Sequence, residues 1–353
     1  MANTKQRKLY LDFLRIIAII FVIYNHTSEK GYYLYAFDSP FILKIIYIAV
    51  GAFIAVAVPI FFMISGSLLI PKEESIGDLY KKRVLRMVIV LVVFSALQYA
   101  IQIVTDNIEL SFRYYITHIT TEGIVKQYWY LFAYLAYLIC LPLLRKMAKN
   151  MTNKEFKYLF AAFLLIEGLL ASVLFIFDIG EITGFFKIPF FNNVVIYPLL
   201  GYYMEHRMTK EQYTLKGALI FVALMIAVLA LIVVNTLHRN LPYEQFTAYD
   251  KGLFVTGFTA VLDAGVFYIV KLIFKDRTAP KVLEFIITAL GSTVFGVYLI
   301  ENIIRNSTEV VYNAMVPYIG RFPSAWVWSV FVFLVGAVII YIIKLIPGVK
   351  KLL

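Results

Sequence analysis

From Gly217 to His238 the chain runs without one charged side chain, and apolar runs of this kind recur along its length. About 20 consecutive apolar residues is the length a bilayer's hydrocarbon core asks of a helix. The chain has 353 residues, 61% of them hydrophobic and 16% charged. Ordinary soluble domains carry about 25% charged residues. A soluble fold of this length could not cover so much apolar surface. The sequence therefore predicts an all-α polytopic membrane protein.

About ten transmembrane helices are expected, at residues 9–27, 42–70, 84–105, 127–145, 157–176, 186–204, 216–236, 252–274, 282–305 and 324–345. The second is long enough to tilt or to bend at Pro59. The sixth is interrupted by Pro189, Asn192, Asn193 and Pro198. The first does not read as a cleavable signal peptide, because it carries Asp12 and Arg15 and lacks a small-residue cleavage site.

Basic residues orient such a chain, since cytoplasmic loops collect Lys and Arg. Taking alternate inter-span segments, one set from Lys5 to Lys351 holds 23 of them and the other set, including Lys30, Lys126, Lys251, Arg305 and Arg321, holds 9. Both termini are then expected in the cytoplasm. The net charge of +11 is mostly this bias, which argues against a nucleic-acid partner. The one cysteine, Cys140, lies in an apolar run and supports neither a disulfide framework nor a Cys-based metal site. Residues 1–353 read as a single transmembrane domain with no separate soluble domain, so any chemistry is expected in the membrane or at its edges.

The remaining basic residue, Arg15, lies inside the first apolar run, eleven residues before His26. Eleven residues are about three helical turns, which leaves the two side chains on one face and about 16 Å apart along the axis. An arginine within a span costs at least ~2.5 kcal/mol on insertion scales, so it normally faces protein or a wet cavity. Snorkelling is the alternative for Arg15, and a helix-end interfacial position for His26.

Here the sequence resembles a known family. "YLDFLRIIAIIFVIYNH" at 10–26 is similar to the first helix of the acyltransferase 3 family, membrane-embedded enzymes that acylate cell-surface glycans. That family has a basic residue, ten intervening residues and a histidine. "VPIFFMISGSLLI" at 58–70 resembles its Phe-Phe-x-x-Ser-Gly segment, and "YKKRVLRM" at 80–87 its Arg-x-x-Arg segment. "YWYLFAYLAYLICLPLL" at 128–144 is similar to its Trp-Tyr-Leu span, "YPLLGYYM" at 197–204 to its Leu-Gly-Tyr segment, and "GSTVFGVYLIEN" at 291–302 to its late Tyr-Leu-Ile segment. Two positions depart from the pattern. Glu301 stands where many members have His after Tyr-Leu-Ile, and Tyr128 where many have His before the Trp.

The resemblance implies an acyltransferase, an O-acetyltransferase using acetyl-CoA, that modifies an envelope polysaccharide or its lipid-linked precursor in the bacterial cytoplasmic membrane. The partners it implies are an acyl-CoA, an envelope glycan acceptor and the lipid bilayer. Acyl transfer needs an anchored donor, a base for the attacking hydroxyl, oxyanion stabilisation and exclusion of water. Arg83 and Arg86, three apart at the cytoplasmic boundary, suit the phosphates of the donor, because guanidinium forks match phosphate oxygens. Topological flanking charge is the alternative reading of the pair. Arg15 lies deeper and suits a donor phosphate or the thioester carbonyl.

His26 is the candidate base, since imidazole ionises near neutral pH. Glu301, at the same membrane level, either orients the imidazole or pairs with Arg305 one turn on. Ser65 and Gly66 read as a packing contact or a donor contact. Trp129 and Tyr130 read as an aromatic belt or a sugar-stacking platform. His118, His206 and His238 have no partner at metal-ligand spacing, and no metal is expected. A transporter that exports an envelope glycan without chemistry is the competing class, although no inverted repeat accompanies the broken sixth span. A non-catalytic scaffold would leave Arg15 unexplained.

Overall fold

A computed structural model of the chain describes residues 8–37, 39–105, 108–121, 123–177, 179–180, 186–240, 257–277 and 279–353. Among the described residues every regular element is helical. The main helices are α1 (Leu9–Asn25), α2 (Phe41–Leu69), α3 (Ile76–Thr105), α4 (Phe112–Thr121), α5 (Trp129–Asn150) and α6 (Asn153–Leu174), followed by α7 (Asn193–Tyr202), α8 (Leu215–Asn240), α9 (Thr259–Ile273), α10 (Lys281–Ser307), α11 (Glu309–Ile319) and α12 (Arg321–Ile343). Helices satisfy their own backbone polar groups, which a hydrocarbon environment requires.

Among the described residues seven helices are long and apolar enough to cross a membrane: α2, α3, α5 with its preceding turn, α6, α8, α10 and α12. The sequence predicts about ten. The three that fall short are α1 with 17 residues, α7 with 10 and α9 with 15. The interruption expected near Asn192 is real. Its side chain accepts a hydrogen bond from the Val194 N–H and starts α7 there. Residues 252–256 of the expected eighth span lie outside the described residues, as do Lys5, Arg7 and Lys251.

The contacts gather the two sets of loops at two separate ends of the bundle. At one end Glu205 meets Lys8 and Lys271, Arg207 donates to the Ala148 carbonyl at 2.8 Å, and Glu74 pairs with Arg83 and Arg145. At the other end Lys30 pairs with Glu309 at 3.2 Å, and Arg321 donates to the Glu29 carbonyl at 2.7 Å. The basic-rich segments thus share one end. This is the basic end of the bundle.

α1 is the helix around which the others are arranged. It packs against both halves of α2 and against α9, α10 and α12. A Cβ on Gly291 of α10 would lie 2.7 Å from the Asp12 Cβ, so a glycine is what lets α10 approach α1 there. The bend in α2 falls at Ala55–Val56, between Phe41–Ile54 and Ala57–Leu69. Pro59 explains the position. It lacks the N–H that would bond the Ala55 carbonyl, and its ring crowds that same carbonyl. The second half of α2 then crosses α7 with the two backbones in contact. A Cβ on Gly66 would lie 2.0 Å from the Pro198 carbonyl oxygen, and one on Gly201 2.0 Å from that of Met63.

Two outcomes are expected. On a Cys140→Ala background, a cysteine at Ser75 should react with an impermeant reagent only from the cytoplasmic side and one at Glu29 only from outside; the reverse pattern would invert the orientation argued from basic residues. Gly66→Ala and Gly201→Ala should each lower thermal stability in detergent by about 1–3 kcal/mol or more, because overpacking meets backbone rather than side chain. Gly77→Ala should not, since its Cβ would meet only the Ser75 Oγ at 3.9 Å.

Candidate active site

The α1 face that carries Arg15 also carries Val22 and His26, at offsets of seven and eleven residues. At about 100° per residue these offsets return to within about 20° of the same direction. All three residues line one cavity of about 440 Å³. The bend in α2 forms part of its wall through Ile54, Ala55, Ala57 and Val58, so the proline-induced break exposes this stretch to the interior. α5 presents Tyr130, Tyr134 and Leu138, at four-residue spacing.

Charge is distributed unevenly along the cavity. Arg15, Lys82, Arg83 and Arg86 line it from the basic end. Arg15 also pairs with the buried Asp12, one turn earlier, at 2.5 Å. Lys82 and Arg83 fall in a π-helical turn, Tyr80–Val84, that leads into the α-helical run from Leu85. Such a turn inserts an extra residue and re-aims the side chains around it. The Arg83 guanidinium grips Glu74 through Nε at 2.9 Å and a second nitrogen at 3.3 Å. Arg145 reaches the same carboxylate at 2.8 Å and the Leu69 carbonyl at 3.1 Å. The Arg83 fork holds the Glu74 carboxyl down at about 2, against partial burial and with help from Arg145. Arg86 donates from Nε to the Leu352 carbonyl at 3.0 Å, and Leu353 touches the cavity beside it. Ser65 lines the cavity together with Tyr134. Gly66, next to it, serves the helix crossing instead.

At the far end His26 places Nδ1 2.7 Å from Glu301 Oε1. A carboxylate can only accept there, so Nδ1 is the donor of this hydrogen bond and Nε2 takes no part in it. Glu301 is fully buried. Its second oxygen meets the Arg305 Nε at 3.4 Å. The two partners weighed for Glu301 are therefore both present, one on each oxygen. Trp129 is 52% exposed and lines the cavity with Asn25, Gln127, Tyr130 and Tyr298. The Tyr298 hydroxyl donates to the Gln127 carbonyl.

Tyr128 does not line the cavity. Its buried hydroxyl donates to the Leu299 carbonyl at 2.7 Å, beside a Gln98–Asn302 amide pair that ties α3 to α10. The remaining histidines stand apart. His206 Nε2 bonds the Ser67 carbonyl at 2.7 Å, His118 stacks on Tyr114, and His238 is exposed.

Seven residues at this site escaped the sequence reading: Glu74, Lys82, Arg145, Tyr134, Asn25, Gln127 and Tyr298. Tyr134 was detectable in principle, one turn after Tyr130. In "YWYLFAYLAYL", however, aromatic residues occupy every face and the spacing carries no contrast. Glu74 was detectable only as an acid within a basic loop.

Arranged this way, the cavity can hold an anionic group at one end and presents an imidazole backed by a carboxylate at the other. The family described as Acyltransferase domain, the acyltransferase 3 family, matches residues 8–345. Comparison with curated proteins and with solved structures gives no match.

The Glu74 clamp has a pH signature. Its carboxyl is lowered from 4.5 to about 2, so its stabilisation is complete above pH 4.5 and is lost as pH falls through about 2. Wild type should exceed Glu74→Gln in thermal midpoint above pH 4.5, and the gap should close toward pH 2.

Proposed function

The chain belongs to the acyltransferase 3 family, and from that premise we propose that it moves an acetyl group from cytoplasmic acetyl-CoA to a hydroxyl of an envelope polysaccharide or its lipid-linked precursor. The observation that carries this reading is the cavity that joins a cluster of four cations to a carboxylate-backed imidazole. The membrane that suits it is a bacterial cytoplasmic membrane, with the basic end inward.

The donor's phosphates meet Lys82, Arg83 and Arg86 at the cytoplasmic mouth. Guanidinium groups suit this because they present forked donors and stay charged. The pantetheine arm then runs past Arg15 along the apolar wall. The helix between Arg15 and His26, about 16 Å, is comparable to that arm. The CoA moiety therefore never crosses the bilayer, and only the acetyl group reaches the far side. There His26 Nε2 takes the proton of the acceptor hydroxyl as its oxygen attacks the thioester carbonyl. Collapse of the tetrahedral intermediate breaks the C–S bond, and the proton passes to the departing thiolate. Glu301 fixes the tautomer that makes Nε2 the acceptor and stabilises the imidazolium as it forms.

The test is transfer from labelled acetyl-CoA to the glycan fraction of membranes holding the protein. His26→Ala and His26→Gln should lose about 10²-fold or more of the rate while retaining donor binding. Arg15→Ala and the double variant Arg83→Ala, Arg86→Ala should weaken donor use, with Lys at each position recovering part of it. Wild-type transfer by inserted His26→Ala would remove the base from this scheme.

A further inference from the structure

The two ends of the cavity differ in charge, and the difference bears on what the far end can accept. All four cations that line it belong to the basic end. Around His26 the lining changes to Asn25, Gln127, Trp129, Tyr130 and Tyr298, none of them ionised at neutral pH. Among the described residues, two nearby charges are committed behind the wall. Glu301 is buried against His26 and Arg305, and Arg305 is turned onto Glu301. Lys126 adjoins Gln127 in sequence but is exposed and does not line the cavity. Also at this end, Lys30 and Arg321 open onto a separate shallow groove. There they engage Glu309 and the Glu29 carbonyl.

A group entering beside His26 therefore meets two amides, an exposed indole and two phenols. Primary amides both donate and accept, which is what a sugar hydroxyl needs. The indole offers a flat apolar face for the C–H side of a pyranose. Among the described residues, no Lys or Arg in this part of the lining supplies a charge to balance a carboxylate. Burying an unpaired carboxylate is costly, and a site that leaves a polar group unpaired rejects the ligand that carries it.

We propose that the ring acetylated by this protein is an uncharged, hydroxyl-bearing pyranose, a neutral hexose or N-acetylhexosamine, held by Asn25, Gln127 and Trp129, and that uronic acids and other acidic sugars are excluded from the acceptor position. This rests on the acyltransferase reading and deepens it by naming the acceptor class. Acidic residues elsewhere in the same glycan are compatible with it, because only the ring beside His26 meets this lining.

The experiment offers membranes containing the protein labelled acetyl-CoA with either of two acceptors, an alkyl β-glucoside or the corresponding alkyl β-glucuronide, at equal concentration. Transfer to the glucoside should exceed transfer to the glucuronide by at least about 10-fold. Gln127→Arg should narrow or reverse that ratio by supplying the missing cation. Trp129→Ala should raise the acceptor KM several-fold while leaving donor binding unchanged, and Trp129→Phe should recover part of the loss. Equal or greater transfer to the glucuronide by the wild type would overturn the proposal. Donor turnover with transfer to neither ring would also overturn it, while leaving the donor half of the scheme standing. Failure to use acetyl-CoA with any acceptor, native glycan included, would overturn the acyltransferase reading beneath it.

Discussion

Glu301 lies fully buried where α10 meets the end of α1, with one oxygen on His26 and the other on Arg305. A carboxylate in that position is tolerable only because both oxygens have partners, and removing one partner of such an arrangement typically costs 3–5 kcal/mol. The contact fixes the far ends of α1 and α10, while Gly291 lets the same two helices close onto Asp12 toward the basic end. Between these two points the helices form one wall of the cavity, and α1 carries Arg15 and His26 along it at a fixed separation. The spacing of these two side chains is thus set by the rise of a single helix rather than by loops.

Much of this was legible in the sequence because it depends on periodicity. Uncharged runs such as 217–238 announce helices in a membrane, the alternation of basic loops announces two ends, and an eleven-residue offset puts Arg15 and His26 on one face. The bend in α2 follows from Pro59 and lands four residues earlier, where the proline's missing bond falls. The span count was less legible, because hydropathy does not show where a buried helix stops. α1 and α9 end as 17- and 15-residue helices, and α7 starts only at the Asn192 cap.

What the sequence hid were partners distant along the chain. Nothing local shows that Glu74 sits between Arg83 and Arg145, or that Gln98 and Asn302 exchange amide hydrogen bonds across 204 positions. The two departures from the family pattern become intelligible at this level. Glu301 is the carboxylate that His26 leans on, and Tyr128 has become a buried strut whose hydroxyl holds the Leu299 carbonyl of α10. The Ser-Gly segment divides its work in a way that spacing alone could not reveal, with Ser65 on the cavity and Gly66 in the crossing with α7.

The central claim is that one cavity receives the donor at its cationic end and presents the acyl group to His26 at the other. A structure of the protein bound to a non-transferable acetyl-CoA analogue measures this directly. The account predicts the phosphates against Lys82, Arg83 and Arg86, the pantetheine arm beside Arg15, and the acyl carbonyl within reach of His26 Nε2. An analogue bound outside this cavity, or one lying in it with its acyl end turned away from His26, would contradict the account.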